Sequence, residues 1–290
     1  MSNFALLKKK DLMKMNYNIA VLDLNAGQLN EGMRCIKKLV EQFLSQEDIN
    51  GQYTVFDVRN AIELPDITDY DIFISSGGPG APFVADEKWE QPFFAFLDAV
   101  LEHNAQHQHK KHLFLICHSF QLACLHWDLA KVTKRKSTSF GVMPVHKTKD
   151  GLTEPLFEGL MNPFFAVDSR DYQVIKPKYS KLEKFGAKIL CKEKIRPHVA
   201  LERAVMAIRF SKEVFGVQFH PEADSEGMLK YFHREDKKAL VIKHHGKKKY
   251  QNMLEHLEDE DKIVRTHNTM IPAFLKQAAL SLKESKLLPI

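Results

Sequence analysis

The chain has 290 residues, 44% hydrophobic and 27% charged, enough apolar material for a core that needs no disulfide staples. Its net charge of +5, from 42 Lys and Arg against 37 Asp and Glu, is too diffuse to argue for a nucleic-acid surface. Cys35, Cys117, Cys124 and Cys191 are too scattered for a disulfide framework or a zinc site, and no run of about 18 apolar residues marks a membrane helix.

At the N-terminus, MSNFALLKKKDLMK carries its lysines after its apolar patch, the reverse of a secretory signal. Residues 1–17 therefore read as an extension, and the chain as soluble and cytoplasmic. NIAVLDL (18–24) is a buried-type strand, and Leu29, Met33, Ile36, Leu39, Val40 and Phe43 stripe a helix over 28–45. YTVFDV (53–58) and DIFISS (71–76) are further strands, the second ending in Gly77-Gly78-Pro79-Gly80. A helical period follows over 88–103. HLFLIC (112–117) is a fourth strand, running straight into the helical FQLACLHWDLA.

That order predicts an α/β fold whose mostly parallel sheet is covered on both faces. From 137 to 220 the character changes. SFGVMPV, FFAVDS, AVMAIRF and VFGVQF predict an antiparallel extension of the sheet. Beyond 225 the pattern is helical and polar, with a basic run from Lys243 to Lys249 and an acidic one from Glu258 to Asp261.

In open α/β sheets ligands bind beyond the carboxyl ends of the strands, so the strand ends are where chemistry is sought. Cys117 closes one strand and opens a helix, a position that exposes the sulfur and favours thiolate. The backbone N–H of His118 then points to where an oxyanion would form. Cys124, two turns on, should face the core. A second strand delivers His220, followed by Pro221 and Glu222, which supply a base and an orienting carboxylate for a thiol nucleophile. The Gly77–Gly80 turn allows close backbone approach to a substrate.

Taken together and in this order, ISSGGPG, LICHSFQ and GVQFHPE resemble the class I, or triad, glutamine amidotransferases, over roughly 18–222. Within that family the likeness is to stand-alone proteins similar to the amidotransferase half of GMP synthase. The resemblance implies a flavodoxin-like sheet with Cys117 as nucleophile, His220 as base and Glu222 as its partner. Gly78 and His118 would form the oxyanion hole. Gln121 would help hold the substrate. It also implies attack on the side-chain amide of glutamine, a glutamyl thioester, and no metal or organic cofactor. Ser169, Arg170 and Asp171, in the polar loop the family carries near its substrate, are candidates for gripping the amino-acid end of glutamine.

Two positions depart from the family pattern, which has glycine two residues before and after the nucleophile; here they are Leu115 and Ser119. No GxxxxGK or SGGxDS-type loop is present, so an ATP-using synthetase accepting the ammonia would be a separate protein. Two other readings of the site are a γ-glutamyl peptide hydrolase on the same triad and a non-catalytic regulatory homologue. His103, His107, His109 and His112, with Gln and Lys between them, read as a solvated helix end and not a metal site. The run from Lys243 to Lys249 reads as solvated surface. IPAFLKQAALSL (271–282) suits a closing helix, which leaves 224–265 as a polar helical insertion, a lid or partner-docking surface, within a domain spanning 18–290.

Overall fold

The computed structural model describes residues 15–287 apart from 29, 84–86, 196, 198–199 and 201. The reading of residues 1–14, and the place of Leu29 in the first helical stripe, fall outside them. A nine-stranded sheet organises the chain. Its strands are β1 (Met15–Asp23), β2 (Ile49–Asp57), β3 (Ile72–Ser75), β4 (His112–Ile116), β5 (Lys131–Lys147), β6 (Phe164–Ile175), β7 (Lys188–Glu193), β8 (Val205–Arg209) and β9 (Val214–Val217). Their spatial order is β2-β1-β3-β4-β9-β8-β7-β5-β6. The pairs β2/β1, β1/β3, β3/β4 and β4/β9 are parallel, and every pair beyond β9 is antiparallel.

Alternation along the central strands fills two cores. Ile19, Val21, Ile72, Ile74, Phe114 and Ile116 face α1 (Glu31–Leu44) and α9 (Arg265–Leu287). Ala20, Leu22, Phe73, Leu113 and Leu115 face α2 (Glu90–Gln106) and α3 (His118–His126). Helix α1 begins where Asn30 accepts from the backbone of Met33, an N-cap, and buries Met33, Ile36, Leu39, Val40 and Phe43. Each such side chain, fully buried, contributes about 1.5–3 kcal/mol. On α9 the spacing of Ile271, Phe274, Leu275, Ala278 and Leu282 gives one apolar face, all of it buried.

The expected elements are present, with shifted ends. The strand β7 and the first half of β5 are additions to them, because charged residues dominate both, leaving three apolar residues in a row in KILCKE and Val132 alone in KVTKRKS. Two short helices, α4 (Lys149–Leu152) and α5 (Tyr179–Phe185), lie in the antiparallel half. The four histidines of the second helix end are not all solvated. His112 sits buried in β4, and His109 Nε2 lies 2.8 Å from Asp71. His103 and His107 stack at 4.2 Å between ring centroids.

Residues 225–264 form α6 (Ser225–His233), α7 (Glu235–His245), α8 (Lys247–Glu258) and a π turn over 260–264. They share a third apolar cluster in which Phe232, Val241, Met253 and Leu257 cover Val142 of β5 and Val167 of β6. Gly141 makes that contact close, since a Cβ there would stand 2.6 Å from Met253 Cε. Among the described residues no helix is long and apolar enough to cross a membrane.

Candidate active site

Three neighbouring parallel strands bring the separated sequence pieces together. In register, Ser75 of β3 lies beside Leu115 of β4, and Ile116 of β4 beside Val217 of β9. Two residues on from Ser75 and Leu115 come Gly77 and Cys117, and one residue on from Val217 comes Gln218, so the three follow neighbouring strands at spacings of about 4.8 Å. The turn of Cys117 has φ 50° and ψ −96°, a left-handed conformation that costs a non-glycine residue about 1–3 kcal/mol. Its N–H donates to Val217 O at 2.7 Å, and its carbonyl accepts from Gln121 N at 3.0 Å, so strand and helix hold the turn from both sides.

Ser119 and Leu115, the two departures, are accommodated differently. The Ser119 hydroxyl accepts from Ile116 N at 2.9 Å and lies 3.2 Å from Ser75 O, tying the ends of β3 and β4 together beside Cys117. Leu115 points to the α2/α3 face and is not among the residues lining the cavity. Gly216 on the adjacent strand keeps that layer open, since a Cβ there would sit 2.7 Å from Phe120 Cδ2, 2.9 Å from Phe210 Cε2 and 3.4 Å from Leu115 Cβ. Gly216→Ala should therefore overpack this layer and cost about 1–3 kcal/mol, read as a lower Tm. A variant as stable as the parent would show that the layer relaxes freely.

His220 follows β9 and is pinned by its N–H to Val167 O at 2.8 Å, a single bridge onto β6. Its Nδ1 lies 2.8 Å from Glu222 Oε1. Burial alone would push the imidazole's pKa down. The Glu222 carboxylate and a hydrogen bond with the Cys117 sulfur outweigh that and hold it well above the ordinary histidine value. Glu222 itself is buried against the first turn of α1, where a Cβ on Gly32 would stand 3.2 Å from Oε1. Gly77 completes the packing, since a Cβ there would sit 2.9 Å from His220 Cε1. Ser76 fixes that turn by accepting from Leu24 N at 2.9 Å.

A cavity of about 260 Å³ opens over these groups. Its floor holds Gly77, Gly78, Cys117, His220 and Glu222. One wall is polar, with Asn25, Asn30 and Glu31, and the other carries Phe140, Val167, Ser169, Met228 and Tyr231. Ser169 thus reaches the cavity as its sequence position suggests. Arg170 and Asp171 are not among its lining residues. The Arg170 guanidinium is buried behind the sheet with Asp168, its Nε 2.8 Å from Oδ1, and Asp171 accepts from Thr138 at the surface. Gln121 does not line the cavity either; it is buried beneath it. The His118 side chain packs near Trp89, its pKa lowered to about 4 by burial and by Arg59, so its ring is neutral at pH 7; His118 is not among the cavity's lining residues.

Just past Glu222, Asp224 caps α6 by accepting from Gly227 N at 2.8 Å and takes a hydrogen bond of 2.6 Å from Arg34 of α1. Burial would raise its pKa, but these partners bring it to about 2, below the ordinary 3.8. A depressed carboxylate contributes stability that is complete above about pH 4 and lost as the pH falls through about 2, here about 2 kcal/mol. Asp224→Asn should accordingly lower Tm at pH 7 and converge with the parent near pH 2. A gap independent of pH would remove the charge from the explanation.

A strained cysteine at a strand-to-helix elbow thus stands beside a histidine held by a carboxylate, at the carboxyl edge of the parallel half of the sheet. The chain belongs to the class I glutamine amidotransferase family, whose model matches residues 35–235. Among solved structures it is similar to a glutamine amidotransferase from Thermotoga maritima, at 15% identity and a TM-score of 0.63, over 90% of this chain and 97% of that one. A candidate GMP synthase subunit from Thermoplasma acidophilum matches at 18% identity and 0.53, over 93% and 98%. The glutaminase domain of Trypanosoma brucei CTPS with bound acivicin matches at 16% and 0.54, over 73% and 88%. At these identities the likeness is one of fold. No curated protein matches the chain in sequence.

Proposed function

We propose that this chain hydrolyses the side-chain amide of glutamine through Cys117, His220 and Glu222, releasing ammonia for an amination. The observation that carries this reading is the thiol of Cys117 sharing one cavity with the His220–Glu222 pair. The Cys117 thiolate attacks the γ-carbonyl, and the oxyanion rests on the N–H groups of Gly78 and His118. His220 gives its proton to the departing ammonia and then takes one from the water that cleaves the glutamyl thioester. Free glutamate leaves. Leu115, packed away from the thiol, supports an active elbow. The neighbour described as a GMP synthase subunit supports a separate, ATP-using synthetase as the consumer of the ammonia.

The apolar wall of Phe140, Met228 and Tyr231 exceeds what ammonia as leaving group requires, and it favours a second reading, hydrolysis of γ-glutamyl peptides by the same triad. Glutamate release by the isolated chain, from glutamine and from a panel of γ-glutamyl peptides, decides between them. No release from any of these substrates, with or without a synthetase partner, would overturn both. We further read 224–265 as an insertion whose helix α6, through Met228 and Tyr231, walls the substrate cavity.

A further inference from the structure

Gln218 is fully buried, a costly place for a primary amide unless its polar atoms have partners. Its Nε2 faces the Cys117 sulfur at 3.7 Å, and its Oε1 accepts from Gln121 Nε2 at 3.0 Å. Strand register explains the first contact, because Gln218 continues β9 directly beside Cys117 at the end of β4. The strand's alternation explains the pairing with the base. Val217 and Phe219 point into the α1/α9 core, which leaves Gln218 and His220 to address the thiol from the same run of backbone. Helix geometry explains the second contact, since Gln121 lies one turn after Cys117 on α3.

We infer that Gln218 donates a hydrogen bond to the nucleophilic sulfur and that Gln121 is the positioning residue that orients its amide. This rests on the reading of Cys117 as nucleophile and changes the expectation for Gln121 from substrate contact to support of the thiol. The order of donors is what gives the pair its effect. Gln121 offers an N–H to the Gln218 oxygen, which turns the Gln218 NH₂ toward sulfur. A donor so placed favours thiolate over thiol before any substrate arrives. His220 approaches the sulfur as the other donor, so the thiolate is held by two groups of which only one takes part in proton transfer.

The other titratable groups around the cavity are Glu222 behind His220, Cys35 and Glu31 on α1, and Asp224 and Tyr231 at the head and on the body of α6. The variants below leave all of them in place. Gln218→Glu keeps the shape and replaces the donor by an acceptor. Gln121→Glu can only accept from Gln218, which would turn the Gln218 oxygen toward the sulfur. Gln121→Met removes the orienting donor without imposing the reverse orientation.

The test is the pH profile of Cys117 alkylation by iodoacetamide, followed on the Cys117 peptide by mass spectrometry, with Tm measured for each variant to verify folding. In both Glu variants the thiolate limb should move to higher pH, and the rate at neutral pH should fall about tenfold, the loss of one hydrogen bond to a charged group. Gln121→Met should lie between these and the parent. A purely structural role would lower Tm and leave the profile in place. Profiles of folded Gln218→Glu and Gln121→Glu that superimpose on the parent would overturn the inference. Glutamate release by the unmodified chain is scored separately, so a failure of the proposed activity is distinguishable from a failure of this relay.

Discussion

In Cys117→Ala, glutamate release is expected to fall by about four orders of magnitude or more, with little change in Tm. Without the sulfur no thioester forms, and only the oxyanion donors and the bound geometry remain to act on the amide. Stability should hold because alanine meets the same left-handed backbone penalty and gives up a single side-chain atom. Replacing His220 as well should cost almost nothing further, since the base has no proton left to take. Turnover of the single variant within tenfold of the parent would remove Cys117 from the chemistry.

Glu222→Gln should lower kcat by about 10²–10⁴-fold while preserving the cavity's shape. The argument is electrostatic. Burial disfavours the imidazolium of His220, and the Glu222 carboxylate at 2.8 Å is the largest influence opposing it. With a neutral amide there, the imidazolium loses its proton at lower pH, and the alkaline limb of kcat/KM should move downward. The limb's direction separates this role from packing. A variant with reduced kcat but an unmoved limb would make Glu222 a structural contact only.

Much of this architecture is legible in the sequence because it follows from two periodicities. NIAVLDL, DIFISS and HLFLIC are continuous apolar runs, as strands buried on both faces must be. Cys117, His220 and Glu222 can be named because LICHSFQ and GVQFHPE, taken in order with ISSGGPG, resemble a family's motifs; each piece alone is a weak signal. The strand β7 is hidden for the opposite reason. In KILCKE the charged residues Lys188, Lys192 and Glu193 leave an apolar run of only three, Ile189, Leu190 and Cys191, whose burial is decided by neighbours distant in sequence. Arg170 reads as a substrate contact when a polar loop is expected there; instead β6 runs through it as a strand, and alternation turns the guanidinium to the inner face with Asp168. The parity of Gln218 with His220 is a readable signal for its place beside the thiol. What makes it count is the register of β9 against β4, which no local pattern encodes.

Asp224 gives the helical segment a mechanical consequence. It is at once the cap of α6, the anchor of that helix to Arg34 on α1, and the residue two positions after the carboxylate that steadies the base. The α6 wall of the cavity and the His220–Glu222 pair are therefore joined by one short length of backbone between His220 and Gly227, in addition to their separate packing. A rigid displacement of α6 of about an ångström, on the scale that costs positioned groups two orders of magnitude in rate, travels to the imidazole through four residues as well as through the core. On the proposed reading, the alignment of the His220–Glu222 pair and the position of the α6 wall are thus coupled through residues 221–224.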